Sequence, residues 1–309
     1  MTIKQTAVAD HAATRRTTEI EEITNLYLIH PLASRLVPIF AQLHITPNAV
    51  SILGMLFGIL SAFAYYRYWD PRFAIAGFFL MIAWHVMDGA DGQLARYTQS
   101  YSYFGKVLDG IADNVTFAAV YAAIAVTASR RDGNWVYALV AISAVFHAVQ
   151  SASYETQRQE YEYLGWGKKP QEPPPRNSDA RDRSGPRGIR RLLDSLHGLF
   201  FGLSFPTAGT NRKFRETMAK ALQTDPGKAD RVRQLYRETL APQLRSWSVL
   251  SANYRTLGIF IATLFKVPEY YFGFEILGFS LVLAVLIRRL NLAHGVLVNK
   301  LRLASSGSA

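Results

Sequence analysis

Four aspartates, Asp88, Asp91, Asp109 and Asp113, lie close together between two long apolar stretches, in the run MDGADGQLARYTQSYSYFGKVLDGIAD from Met87 to Asp113. A carboxylate beside lipid is costly unless something neutralises it. Asp88, Asp91 and Ala95 follow i, i+3, i+7 spacing and share one helical face; Gly105, Asp109 and Asp113 follow i, i+4, i+8 spacing and share a face of the next helix. The connection YTQSYSY is short enough to make the two helices antiparallel neighbours, so two pairs of carboxylates can meet at one end of the pair. Four negative charges that close repel and raise one another's pKa, and divalent cations remove the conflict. Hard oxygen donors suit Mg²⁺, Mn²⁺ or Ca²⁺ rather than zinc. Two such ions about 4 Å apart are a known clamp for a phosphoryl group in displacement.

Neighbouring residues fit the same chemistry. Gly92 and Ala95 leave room for a ligand against the helix, and the planar fork of Arg96 can reach a phosphate. Spacing alone therefore points to a metal-dependent phosphoryl or nucleotidyl site at a membrane surface.

The elements that must position this site are apolar helices. Half of the 309 residues are apolar, in long blocks, and the net charge of +11 is concentrated between the blocks. A bilayer core needs roughly 20 apolar residues in a helix. Spans are expected over Asn48 to Tyr66, with Thr46-Pro47 as N-cap and first-turn proline, Phe73 to Arg96, Phe104 to Ala128, and Trp135 to about Tyr154. Tyr254 to Phe265 reaches span length only with the residues before it, and Pro268 to about Leu290 completes six. Asn25 to Leu43, broken by Pro31, Arg35 and Pro38, reads as an interfacial helix lying on the membrane. The expected fold is an all-α integral membrane protein: six transmembrane helices preceded by an interfacial amphipathic helix, with a partly helical cytoplasmic insertion between helices 4 and 5.

Charge sets the expected orientation. More than half of the 34 lysines and arginines fall between Arg158 and Arg245, while the opposite connections are short and carry few. The positive-inside bias then puts both termini, the insertion and the aspartates in the cytoplasm, in a multi-pass protein of the cytoplasmic (inner) membrane. The organisation expected is a flexible N-terminus (1–24), the interfacial helix and first four spans (25–154), the basic insertion (155–250), two further spans (251–300) and a disordered tail (301–309). The first 20 residues hold no apolar core, so no cleavable signal peptide is expected. Within the insertion, GKKPQEPPPRNSDARDRSGPRG reads as a flexible linker, RRLLDSLHGLFFGLSF as an amphipathic helix, and Arg212 to Leu240 as one or two soluble helices broken at Asp225-Pro226-Gly227. A surface-lying or lid role competes with a solvated loop that merely joins spans. With no cysteine, a disulfide or thiolate metal site is excluded.

The run Asp88-x2-Asp91-Gly92-x2-Ala95-Arg96-x8-Gly105-x3-Asp109-x3-Asp113 resembles the signature of the CDP-alcohol phosphotransferase (phosphatidyltransferase) family, with all eight positions matching. The resemblance covers Asn25 to Tyr154 well and the last two spans loosely; the long insertion departs from the compact family pattern. It implies transfer of the phosphate-bearing half of a CDP-alcohol to a second alcohol, with release of CMP. It further implies two divalent cations, Mg²⁺ or Mn²⁺, held by Asp88, Asp91, Asp109 and Asp113, and no organic cofactor. Asp113 would act as general base on the acceptor hydroxyl; Gly92, Ala95 and Gly105 would shape the CDP site, with Arg96 on the diphosphate. A homodimer is implied by the family alone.

For the acceptor, His85, Asn114, His147, Gln150, Tyr154 and Arg158 are candidates by position. A buried, satisfied histidine is the stronger reading for His85, and interhelical hydrogen bonding serves His147, Gln150 and Ser151 as well as a cavity does. Arg158, Lys168, Lys169, Arg187, Arg190 and Arg191 form a basic frame that either attracts an anionic ligand or sets topology. Tyr101, Tyr103, Trp135, Tyr270 and Tyr271 suit an interfacial aromatic belt. One substrate must be a lipid: either CDP-diacylglycerol as donor to a small polar alcohol, or a CDP-linked small alcohol as donor to a lipid alcohol such as diacylglycerol or ceramide. A divalent-cation transporter is the alternative of another class, opposed by the clustering of all four aspartates at one end. A nucleic-acid partner is not expected, because the basic insertion lacks aromatic interleaving.

Overall fold

The computed structural model describes residues 18–100, 103–168, 212–224 and 226–306, with side chains at 18, 103–111, 212, 213, 224, 226 and 304–306 left aside. All regular structure among these residues is helical. A π-wound turn (Asn25–Ile29) leads into α1 (His30–Gln42), followed by α2 (Pro47–Tyr65), α3 (Pro71–Tyr97), α4 (Tyr103–Asp132) and α5 (Trp135–Trp166). Then come α6 (Arg212–Thr224), α7 (Pro226–Arg245), a 3₁₀ turn (Ser246–Leu250), α8 (Ala252–Leu264) and α9 (Pro268–Ser306).

Local sequence sets the helix ends. The Thr46 side chain accepts from the Ala49 amide at 3.3 Å, and Pro47 occupies the first helical position, where its missing N–H costs nothing. Asp70 caps α3 by accepting from the Arg72 amide at 3.0 Å. Its further hydrogen bonds from the Arg72 guanidinium hold this carboxyl below the usual carboxylate range. At the far end of α3, Gln99 takes a left-handed conformation (φ 53°) that lets the Ser100 amide reach the Ala95 carbonyl at 3.0 Å.

Five helices, α2, α3, α4 (from Ala112), α5 and α9, are long and apolar enough to cross a membrane. Their outward faces stay apolar: Phe63, Phe79, Leu277 and Leu281 are 64–75% exposed, which suits lipid and not water. The fifth expected span differs. The chain turns extended at Ser251 (ψ 168°), leaving α8 with 13 residues, about 20 Å at 1.5 Å per residue. It reaches only part of the way across a roughly 30 Å core. Residues 25–42 are helical as expected. One stripe, Ile29, Ala33 and Val37, is buried against Val50, Val86, Met87, Ala90 and Leu94, while Tyr27 and Leu43 are exposed.

α2 is the hub of the bundle because it carries small residues where its neighbours cross. Gly54 faces α3, where an added Cβ would stand 3.1 Å from the Met87 Cβ; Gly58 faces α4, where it would overlap the Thr116 side chain. Small residues spaced in this way let apolar helices approach closely. Gly58→Leu should therefore destabilise the fold by at least about 1–3 kcal/mol. Leu56→Ala, on the exposed face of the same helix, should stay within about 0.5 kcal/mol. Thermal melting in detergent compares the two, and equal effects would contradict this packing.

α5 and α9 run past the length a bilayer needs, and their extensions carry the insertion. Phe214 and Met218 of α6 and Tyr236, Leu240 and Leu244 of α7 pack on Tyr161 and Leu164 of α5 and on Leu290, Leu297 and Leu301 of α9. Burial pushes the Tyr236 phenol well above its usual range. α7 also closes the end of α5: Arg233 donates to the carbonyls of Tyr163 (2.8 Å) and Leu164 (3.0 Å), and Arg237 to that of Gly165 (2.6 Å). The carbonyls of Leu164 and Gly165 belong to the last turn, where the helix stops at Gly167 and offers few amides of its own. Residues 212–245 are thus two packed helices, not a solvated joining loop. Ile20, ahead of α1, is buried in the same core, and the Tyr161 hydroxyl donates to Glu19. The linker from Lys169 and the stretch RRLLDSLHGLFFGLSF lie outside the described residues, as do Arg187, Arg190 and Arg191 of the basic frame.

Candidate active site

The aspartates sit where α3 ends and α4 begins. Asp88 and Asp91 lie in the last three turns of α3, and Asp109 and Asp113 in the first three turns of α4. The few residues joining the helices keep these ends at the same level. α4 packs chiefly on α2 and not on α3; the Trp84 and Phe117 rings (centroids 5.5 Å, edge to face) join α3 to α4.

Asp91 is buried and accepts a hydrogen bond from the Ser51 hydroxyl of α2. That bond fixes the carboxylate's rotamer. Asp88 is half-buried, and Asp113 and Asn114 are exposed. At Gly92 an added Cβ would meet only the Arg96 guanidinium, at 3.5 and 3.9 Å. The glycine thus leaves a small space bordered by a fixed cation, and a phosphate oxygen suits it. Ala95 is half-buried on the Asp88 face. The Gly105 and Asp109 side positions lie outside the described side chains. Among the described residues no three carboxylates or imidazoles stand close enough to enclose a cation. The donors present are nevertheless all carboxylate oxygens, the set that hard divalent ions prefer.

The acceptor candidates separate into two places. Tyr154 and Arg158 of α5 line a cleft with Glu155, Glu162, Glu21, Glu22 and Asn25. Arg158 is held by its own helix, at 2.6 Å from Glu155 and 3.3 Å from Glu162. Lys168 is half-buried at the end of the same helix. His85, His147 and Gln150 lie deeper. His85 is buried with Nε2 2.9 Å from the Thr256 hydroxyl of α8, the satisfied histidine of the structural reading.

His147 and Gln150 belong to a buried network the sequence reading missed. Arg255 of α8 and Glu275 of α9 form an ion pair with both side chains fully buried. Tyr121 donates to Glu275 at 2.7 Å, Ser143 also donates to it, and Gln150 accepts from Arg255 at 2.9 Å. The Gln150 amide donates to the Glu275 carbonyl at 3.0 Å. Tyr271, expected in an aromatic belt, is instead buried here, its hydroxyl donating to Glu275 at 3.2 Å. Tyr270 (73%) and Trp135 (55%) are exposed as a belt requires. A signal was present: Arg255 and Glu275 are isolated charges inside apolar stretches, which call for a partner.

The class that emerges is an all-helical chain with membrane-length helices and carboxylates gathered at one end of two of them. Residues 44–171 match the family model of CDP-alcohol phosphatidyltransferases. Archaetidylinositol phosphate synthase of Pyrococcus horikoshii is 35% identical over 85 residues, 28% of this chain and 43% of that protein. A bifunctional IPC transferase and DIPP synthase of Aquifex aeolicus is 32% identical over 113 residues, 37% of this chain and 24% of that protein. The matched part spans less than half the length of either relative.

Proposed function

We propose that this chain is an integral-membrane transferase. It moves the phosphate-bearing group of a CDP-alcohol onto the hydroxyl of an acceptor alcohol and releases CMP. The observation that carries the reading is the arrangement at the facing ends of α3 and α4, inside a matched phosphatidyltransferase domain: Asp88, a Ser51-anchored Asp91, Asp113, and a guanidinium beside Gly92. Asp88, Asp91, Asp109 and Asp113 would hold two divalent cations, Mg²⁺ or Mn²⁺. When bound, the cations neutralise the phosphate charge and make CMP a good leaving group. Arg96 binds a diphosphate oxygen over Gly92. Asp113 takes the proton from the acceptor hydroxyl, the hydroxyl oxygen bonds to phosphorus, and the phosphorus–oxygen bond to CMP breaks. Positioning and electrostatics supply most of the rate in such a displacement.

The donor assigned is CDP-diacylglycerol and the acceptor a small polar alcohol. One relative is named as a synthase of a lipid, archaetidylinositol phosphate, which supports a lipid product. The test offers purified protein CDP-diacylglycerol, CDP-choline, CDP-ethanolamine and CDP-glycerol, each with an acceptor panel, and identifies the product. A lipid product formed only from CDP-diacylglycerol supports the assignment. Product formed only from CDP-linked small alcohols and diacylglycerol or ceramide reverses its direction.

The protein sits in the cytoplasmic membrane with α6, α7 and the aspartates on the cytoplasmic side, an orientation that the basic insertion favours. Because the chain has no cysteine, single cysteines report this cleanly. An impermeant thiol label should reach Asn134→Cys in intact cells and Lys220→Cys only after lysis; the opposite pattern inverts the orientation.

A further inference from the structure

Three rings from three helices meet one turn away from the aspartates. Phe117 follows Asp113 by four residues, and Trp84 precedes Asp88 by four, so each ring lies on the same helical face as a site carboxylate. The Phe117 ring meets Trp84 edge-on, with centroids 5.5 Å apart, and also meets the His147 imidazole of α5 at 4.5 Å. His147 is fixed in turn: its Nδ1 lies 3.0 Å from the Tyr121 hydroxyl, 3.2 Å from a Glu275 oxygen and 3.4 Å from an Arg255 nitrogen. Those partners come from α4, α9 and α8, and the Arg255 guanidinium also lies 4.9 Å from the centroid of the Phe279 ring. A buried network whose members are all satisfied is stiff, since moving one member leaves others without partners.

We infer that His147 is a positioning residue: held by the Arg255–Glu275 network, it braces Phe117 against Trp84 and so sets the gap between Asp88 on α3 and Asp113 on α4. The inference rests on the transferase reading for what the gap is used for, but the brace can be measured without it. α4 has little other contact with α3, because both pack on α2, so the ring contact is the direct tie between them. A site that clamps a diphosphate between carboxylates on two helices is sensitive to that register, and a misplacement of about 1 Å can lower the rate on the order of 100-fold.

The test uses the full chain in detergent or nanodiscs, with spin labels at Tyr97→Cys and Ala118→Cys, both exposed positions. Pulsed electron resonance then reads the distance between α3 and α4. His147→Leu, which removes the imidazole and its hydrogen bonds, should broaden or shift that distance. It should also lower kcat for CMP release about 10-fold or more while leaving donor KM within about twofold. Phe117→Leu, which removes the ring from the other side, should do the same, and His147→Phe, which keeps a ring, should recover part of both losses. An unchanged distance in folded His147→Leu and Phe117→Leu proteins would overturn the inference, as would loss of folded protein with kcat per folded molecule unchanged. If wild-type protein releases no CMP from any donor, the transferase reading fails, and the distance measurement still decides whether the brace exists.

Discussion

Asp113→Asn should lower the turnover of CMP release by about 10²–10⁴-fold, the range that a positioned general base contributes. The amide is nearly the shape of the carboxylate but can neither take the acceptor's proton nor bring a negative charge to a cation. Asp113 is exposed and the amide is nearly isosteric, so the fold should melt close to the wild type. The donor KM should change far less than kcat, because the lost interactions belong to the transition state. Steady-state kinetics with saturating Mg²⁺ and donor measure both. A variant with more than about a tenth of wild-type turnover would remove Asp113 from the role of base.

The second large effect is on stability. Arg255 and Glu275 are both fully buried. Removing one charge strands the other, at a cost of about 3–5 kcal/mol for buried pairs of this kind, whereas replacing both with apolar residues is often close to neutral. Arg255→Met alone should therefore melt early or fail to accumulate, and the Arg255→Met, Glu275→Leu double variant should recover only part of the loss, because the hydroxyls of Tyr121, Ser143 and Tyr271 lose Glu275 as their acceptor. Chemical denaturation of the purified variants reads the difference. A single variant within about 1 kcal/mol of wild type would mean that Glu275 finds another partner. The pair also bears on the transporter alternative. Glu275 is an acid within an apolar helix, but Arg255 neutralises it, so it does not stand as an open carboxylate there.

Much of this was legible in the sequence because it is local. The Thr46-Pro47 start of α2 and the break near Pro226 between α6 and α7 follow from what one residue type does to its own backbone. The shared face of Asp88 and Asp91 follows from helix period alone. What was not legible depends on partners far along the chain. Glu275 meets Ser143, His147 and Tyr121, more than a hundred residues away, and averaging hydropathy over a window hides one charge among many apolar residues. Tyr271 reads as a belt residue by its place near a helix start, yet the same network draws its hydroxyl inward. α8 is short because the chain turns at Ser251, and nothing in SWSVLSAN marks that turn more strongly than a continuing helix. The extension of α5 to Trp166 was hidden for another reason. YETQRQEYEYLGW is polar on most faces, and it is helical because α7 and α9 cover Tyr161 and Leu164.

If the aspartates at the meeting of α3 and α4 carry out cation-dependent transfer from a CDP-alcohol, CMP formation must depend on divalent cations. The most direct measurement is CMP formation by the purified wild-type chain in detergent with CDP-diacylglycerol and a mixture of small polar alcohols, as Mg²⁺ is titrated and then removed with EDTA. CMP release should rise with Mg²⁺, stop on chelation, return when Mg²⁺ is restored, and be matched mole for mole by a new phospholipid. CMP release that is indifferent to divalent cations, or CMP formed without a matching phospholipid, would contradict that transfer.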